Sequence, residues 1–197
     1  MTICLKKKKI GKLTALMLFW VLFWVLFWGM PFSPVLGAGP SIPLSEYKIK
    51  AVYLYKFIQF VRWPKELLAQ DTITIGILGE DPFGESFAEV EGKKIIPLNK
   101  KLVVQKYGVY HKDCALDCNI LYIHASEKEK LKDIFNRLSG KKVLVFADMD
   151  GFLEAGGMVR FVKESEKIRW EMNKAAIDTA GIKLNAQIFQ LAVRVLR

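Results

Sequence analysis

The sequence predicts an α/β fold: a mixed, partly parallel sheet that ends in a C-terminal antiparallel hairpin. Two stretches carry this prediction. Residues 119–123 and 143–147 are short runs of branched and aromatic residues, and Leu131, Ile134, Phe135 and Leu138 between them form one helical face. Strand, helix and strand of this length suit a right-handed parallel crossover. Further on, residues 156–163 and 167–173 flank a short polar connection and read as a hairpin. Its second arm alternates, with Ile168, Trp170 and Met172 on one face and Lys167, Arg169 and Glu171 on the other. The hairpin therefore has a side to bury and a side that can meet a partner.

The other elements follow from local signals. Ser45 is placed to cap a helix over residues 46–62, in which Tyr47, Ala51, Leu54, Ile58 and Val61 keep helical spacing and Tyr53, Phe57 and Phe60 widen the stripe. Pro64 stops it, because the residue before a proline is pushed out of the α region. Thr72–Leu78 reads as a strand, followed by a short helix with Asp81 at the N-cap and Pro82 in its first position. Residues 94–98 suggest a second strand, kept short or at an edge by Pro97, and residues 102–105 a third. Ser126 with Glu129 has the pattern of a capping box, and Gly140 ends the helix that follows. The hairpin adds edge strands to the sheet. Asn173 caps a helix through Ala180 that Gly181 breaks, and Asn185 begins a final helix with Ile188, Leu191, Ala192 and Val195 facing inward.

Length and composition narrow the class. The 197 residues suit one domain, and a hydrophobic share of 52% suffices for a core, but part of that share lies in the N-terminal segment. Lysines at 6–9 and 12 precede an apolar run from Leu13 to Trp28, and small residues follow at Gly37, Ala38 and Gly39. This is the pattern of a secretory signal over residues 1–39, with an uncleaved membrane anchor as the alternative, leaving residues 40–197 as a single domain. The leader holds five lysines, so the 30 basic residues fall to 25 against 20 acidic ones, and the net charge falls from +10 to +5. With half of the net positive charge assigned to export, and no basic stripe with interleaved aromatics, nucleic acid is not an expected partner. Cys4 belongs to the leader. Cys114 and Cys118 remain as an even pair in an oxidising compartment, where a disulfide is the first reading.

No catalytic constellation stands out. Gly76, Gly79 and Gly84 match neither phosphate-binding fingerprint, and Glu80, Asp81 and Glu85 would repel a phosphate there. His111, Cys114, Cys118 and His124 miss the usual zinc spacings, so no metal is expected, and neither is a cofactor. Asp148 and Asp150 follow a strand's C-terminal end, where α/β sheets commonly bind ligands, but with no third partner close by they read as loop caps. No nucleophile sits in a recognisable elbow. The residues expected to meet a partner or ligand are Arg62, Trp63, Arg160, Arg169 and Glu171: charges set in apolar or aromatic runs, with Trp63 or Trp170 as a flat surface. The ordinary alternative is a solvated strand face.

With these residues laid out, the chain resembles the YfiR-like family of periplasmic regulatory proteins. The likeness rests on residues 51–57 and 60–64, on Ile75-Gly76-Ile77-Leu78-Gly79 with Asp81-Pro82-Phe83-Gly84, on residues 118–123, and on the hairpin with Asn173-Lys174-Ala175-Ala176. It covers nearly all of residues 45–197. The resemblance implies a three-layer α/β/α sandwich and a non-enzymatic periplasmic protein. It also implies binding to, and repression of, an inner-membrane signalling protein, a diguanylate cyclase or a sensor kinase, with a homodimer as a further expectation. Repression of a cyclase would lower cyclic-di-GMP and disfavour biofilm. From the residues alone two other readings stay open: a binding or sensor module that uses Arg62, Arg160, Arg169 and Glu171 to hold a small anionic or aromatic ligand, and a hydrolase.

Overall fold

Helix α1 (Leu44–Phe60) opens the part of the chain that the computed structural model describes, residues 44–197. The expected leader, residues 1–39, lies outside the described residues. The helix starts before Ser45, which therefore sits inside the first turn and is not the cap. Its stripe buries Tyr47, Ala51, Leu54, Phe57 and Ile58 as expected, but the helix ends at Phe60, two residues short of the expected end, and the buried Val61 lies beyond it. After Phe60 the chain extends, Val61 bridging Leu184, and Pro64 leads into a single turn, α2 (Lys65–Leu68).

The described residues build an eight-stranded sheet from β1 (Thr72–Leu78), β2 (Lys94–Ile95), β3 (Lys100–Gly108), β4 (Ile120–Ile123), β5 (Leu144–Ala147), β6 (Val159–Glu164), β7 (Lys167–Asn173) and β8 (Arg194–Leu196), in the order β2-β3-β1-β4-β5-β6-β7-β8. Pairs β2–β3 and β6–β7 are antiparallel and the rest parallel. Strands β4 and β5 are buried along their whole length, as central parallel strands covered on both faces must be. The crossover between them carries a 3₁₀ segment, Ala125–Lys130, and helix α3 (Leu131–Leu138). Two short helices follow the hairpin: α4 (Lys174–Thr179) and α5 (Ala186–Gln190), capped by Asn173 and Asn185.

Side-chain contacts fix the layers. Phe57 of α1 meets Phe146 and Trp170, and the Trp170 indole N–H donates to the Ile188 carbonyl of α5, so α1 and α5 share one face. Val145, the neighbour of Phe146, points the other way, into a hollow lined by Phe135 and Leu138 of α3 and by Ala176 and Thr179 of α4. The three-layer α/β/α arrangement follows.

Several local expectations are corrected. Asp81 caps no helix: its Oδ1 accepts from the Phe83 N–H at 2.9 Å and starts a series of tight turns, because Gly84 takes a left-handed φ of 51°. Ser126 and Glu129 form no capping box. His124 is the N-cap, its Nδ1 accepting from the Ser126 N–H, and both residues lie within the 3₁₀ segment. The final helix stops at Gln190, and residues 194–196 form β8 instead. Only Ile188 of the four positions expected to face inward is buried, and Leu191 is 52% exposed. The reason is tertiary: Trp170 of β7 has a carbonyl to satisfy, and the Val193 N–H reaches it at 2.9 Å. The hairpin therefore does not supply the sheet's edge, since β8 covers β7.

Candidate functional site

The cleft with most charge lies at the C-terminal ends of the parallel strands, an open hollow of about 460 Å³ between the start of α1, the ends of β4 and β5, and β6. Its floor is set by the helix. Tyr47 and Lys50 stand one turn apart on α1, whose buried stripe aims both at the end of β5. The Lys50 ammonium is buried, 2.6 Å from Asp148 Oδ2 and 2.7 Å from Glu46 Oε1, and the Tyr47 hydroxyl donates to the same Asp148 oxygen at 3.0 Å. Burial pushes the Asp148 carboxyl up, but the Lys50 charge with hydrogen bonds to that carboxyl outweighs it, and the group is held below its ordinary value. The same burial, with Asp148 beside it, raises the Tyr47 phenol. Tyr122, fully buried next to Asp148 and Tyr47, is raised by desolvation first.

Arg160, which lines this cleft, belongs to a cross-strand ion cluster. Arg160, Glu171 and Arg194 are direct neighbours on β6, β7 and β8. Glu171 accepts from Arg160 Nε at 3.0 Å and from Arg194 Nη2 at 3.1 Å, and its other oxygen lies 3.1 Å from Arg194 Nε. The outer ends of the two guanidinium groups bond Asp150 and Glu154. Opposite charges on adjacent strands lock the three strands in register.

Of the residues singled out from sequence, Arg160 and Glu171 are thus brought together, and Arg169 shares their face of β7, opposite Val162 and half-buried. Arg62 and Trp63 are not part of this group. They follow the far end of α1, whose stretch from Lys50 to Phe60 alone spans roughly 15 Å at 1.5 Å per residue. Trp63 is a core residue, 8% exposed, its indole N–H donating to the Ile58 carbonyl at 2.9 Å, and Trp170 is buried too, so neither ring offers a free face.

Sequence reasoning missed Lys50 and Arg194 and read Asp148 and Asp150 as loop caps. Lys50 had a signal: a lysine one turn after Tyr47 on an otherwise apolar stripe needs a buried partner. Arg194 had none, since its strand is only three residues long.

The expected bridge is not formed, and Cys114 and Cys118 are free thiols. Cys114 is buried in the turn after His111, while the Cys118 sulfur is turned toward Gly76 and the Tyr107 ring. Burial pushes the Cys118 thiol up to about 12. Among the described residues no cluster of His, Cys, Asp and Glu is placed to hold a metal, and no helix is long and apolar enough to cross a membrane.

Comparison with known proteins gives these features a family context. A crystal structure of a conserved domain protein from Vibrio cholerae O1 biovar eltor str. N16961 aligns with a TM-score of 0.49 at 11% identity, over 76% of this chain and 60% of that one. This chain thus spans 60% of the length of that protein. A family profile described as YfiR/HmsC-like matches residues 47–193, from the buried Tyr47 of the cleft floor to the Val193 that starts the last strand pairing. Members of that family are periplasmic and regulatory, acting in cyclic-di-GMP signalling. The chain belongs to the YfiR/HmsC-like family.

Proposed function

We propose that this protein is a periplasmic, non-enzymatic regulator that binds an inner-membrane diguanylate cyclase and represses it, lowering cyclic-di-GMP. The family match over residues 47–193 is the observation that carries the reading. The chemistry of the cleft supports it. Lys50 is paired with Asp148 and Glu46, and Arg160 and Arg194 are paired with Glu171, so these charges hold helix and strands in place. Contact runs through the half-buried Arg169 and the cluster beside it, the charged row of the hairpin.

Crosslinking in intact membranes, followed by co-purification, tests the reading. The expected result is recovery of one membrane protein with a periplasmic segment, and a rise in cyclic-di-GMP when the gene is removed. Arg169→Glu is expected to lose that partner at least tenfold while the melting temperature stays within a few degrees. Recovery of a sensor kinase with unchanged cyclic-di-GMP would replace the cyclase by the kinase. Sequencing the mature N-terminus checks export, the expected start lying just after residue 39.

A further inference from the structure

The edge of the sheet at β8 differs from the opposite edge. At the other side β2 is two residues long and is followed at once by a proline turn. At β8 the backbone is extended, and its polarity can be assigned. The Val193 N–H points inward to the Trp170 carbonyl, and because backbone groups alternate along a strand, Val195 also points inward while the N–H and C=O groups of Arg194 and Leu196 point away from the sheet. Among the described residues no strand pairs with that outer side.

A groove of about 780 Å³ runs beside this edge, bounded by α4, α5 and β8. Phe189 and Val195 give it an apolar lining, and the exposed Leu191 stands close by in sequence. Lys174 and Arg197 line it against a single carboxylate, Asp178, which pairs with Lys174 at 2.5 Å. An open strand edge beside an apolar groove of net positive charge is suited to an extended segment with alternating apolar and acidic side chains.

We infer that β8 and its groove receive an extended acidic segment of the membrane partner, which adds to the sheet as a further strand by bonding the outward backbone groups of Arg194 and Leu196. This rests on the reading that the protein works by protein contact, and it adds a second contact surface to the Arg169 row. Charge argues against a second copy of this chain as the occupant. A second copy would present the same edge and groove, with Lys174, Arg194 and Arg197, and so bring like charge to like charge where an acidic segment brings the opposite charge.

The test follows amide exchange at Arg194 and Leu196 by NMR on the full chain in detergent. The probe is a short synthetic peptide of alternating glutamate and valine, with its lysine and valine counterpart as control. The expected result is exchange about tenfold slower at both amides with the glutamate peptide alone. Leu196→Pro removes an outward donor and no ladder bond, and is expected to abolish the slowing at Arg194, whereas Leu196→Ala keeps it. No slowing with the wild-type chain, equal slowing with the lysine peptide, or protection that grows with protein concentration in the absence of peptide overturns the inference. The wild-type exchange result decides even where Leu196→Pro fails to fold. Membrane co-purification separates the two ideas. Equal recovery of the partner by wild type and Leu196→Pro overturns edge addition and leaves the regulator in place. Slowed exchange with no membrane partner recovered by wild type supports the edge and removes the regulator reading.

Discussion

Two adjacent glycines show how different single-residue demands can be. Gly156 has φ of 103°, a conformation that side chains disfavour, so it serves the backbone. Gly157 is needed for space: a Cβ there would come within 2.3 Å of the Phe152 ring, and Phe152 is fully buried and cannot withdraw. Gly157→Ala is therefore expected to cost about 2 kcal/mol, read as a lower denaturation midpoint at unchanged slope. Cys118 has a demand of another kind. With its thiol pushed up to about 12, alkylation near neutral pH is expected to be slow and to speed up steeply only as pH approaches that value. Fast labelling at pH 8 would show the Tyr107 side of the sulfur to be open.

The hairpin that marks this fold in sequence is closed by an unusual pair of residues. Ser165 and Glu166 both take positive φ, 47° and 61°, between the paired Glu164 and Lys167, which is the geometry of a two-residue type I′ turn. That turn prefers Asn-Gly, and each ordinary side chain in the left-handed region costs on the order of 1 kcal/mol. Glu166→Gly is expected to raise stability by about 1 kcal/mol, seen as a higher melting temperature. The ion pair it gives up, Lys163 with Glu166 at 2.9 Å, is exposed and contributes little. The two faces of β7 behave as its alternation requires, Ile168, Trp170 and Met172 buried and Arg169 and Glu171 half-buried. The helix expected at the C-terminus illustrates the opposite case. Leu191, Ala192 and Val195 fit a helical stripe, yet the carbonyl of Trp170 draws Val193 into the sheet.

Across the whole molecule, Lys50 and Asp148 tie the first helix to the end of the central sheet, 98 residues apart in the chain. The carboxyl of Asp148 is held below its ordinary value in the fold, so the folded protein binds that proton less tightly than the unfolded chain does, where the value is about 3.9. Its contribution to stability is therefore present in full above about pH 5 and is lost as pH falls below about 4 toward the folded value. Asp148→Asn is expected to cost about 3 kcal/mol near neutral pH, because it takes one of two carboxylates from a buried ammonium, and to flatten this acid limb in denaturation measured from pH 6 to pH 3. A variant as stable as the wild type at pH 6 would mean that Glu46 alone satisfies Lys50.

By itself the sequence determined the α/β class, the crossover through α3, the buried stripe of α1 and the two faces of the hairpin. Each is written in the spacing of apolar residues along one element, and burial enforces that spacing. Only the tertiary structure decided that residues 194–196 are a strand, that Arg160, Glu171 and Arg194 form one cluster while Arg62 and Trp63 stand apart, and that Asp148 is the partner of Lys50. These depend on which strand edges and buried charges come to face each other across the fold. No local period records such pairings, because they are satisfied between residues distant in the chain.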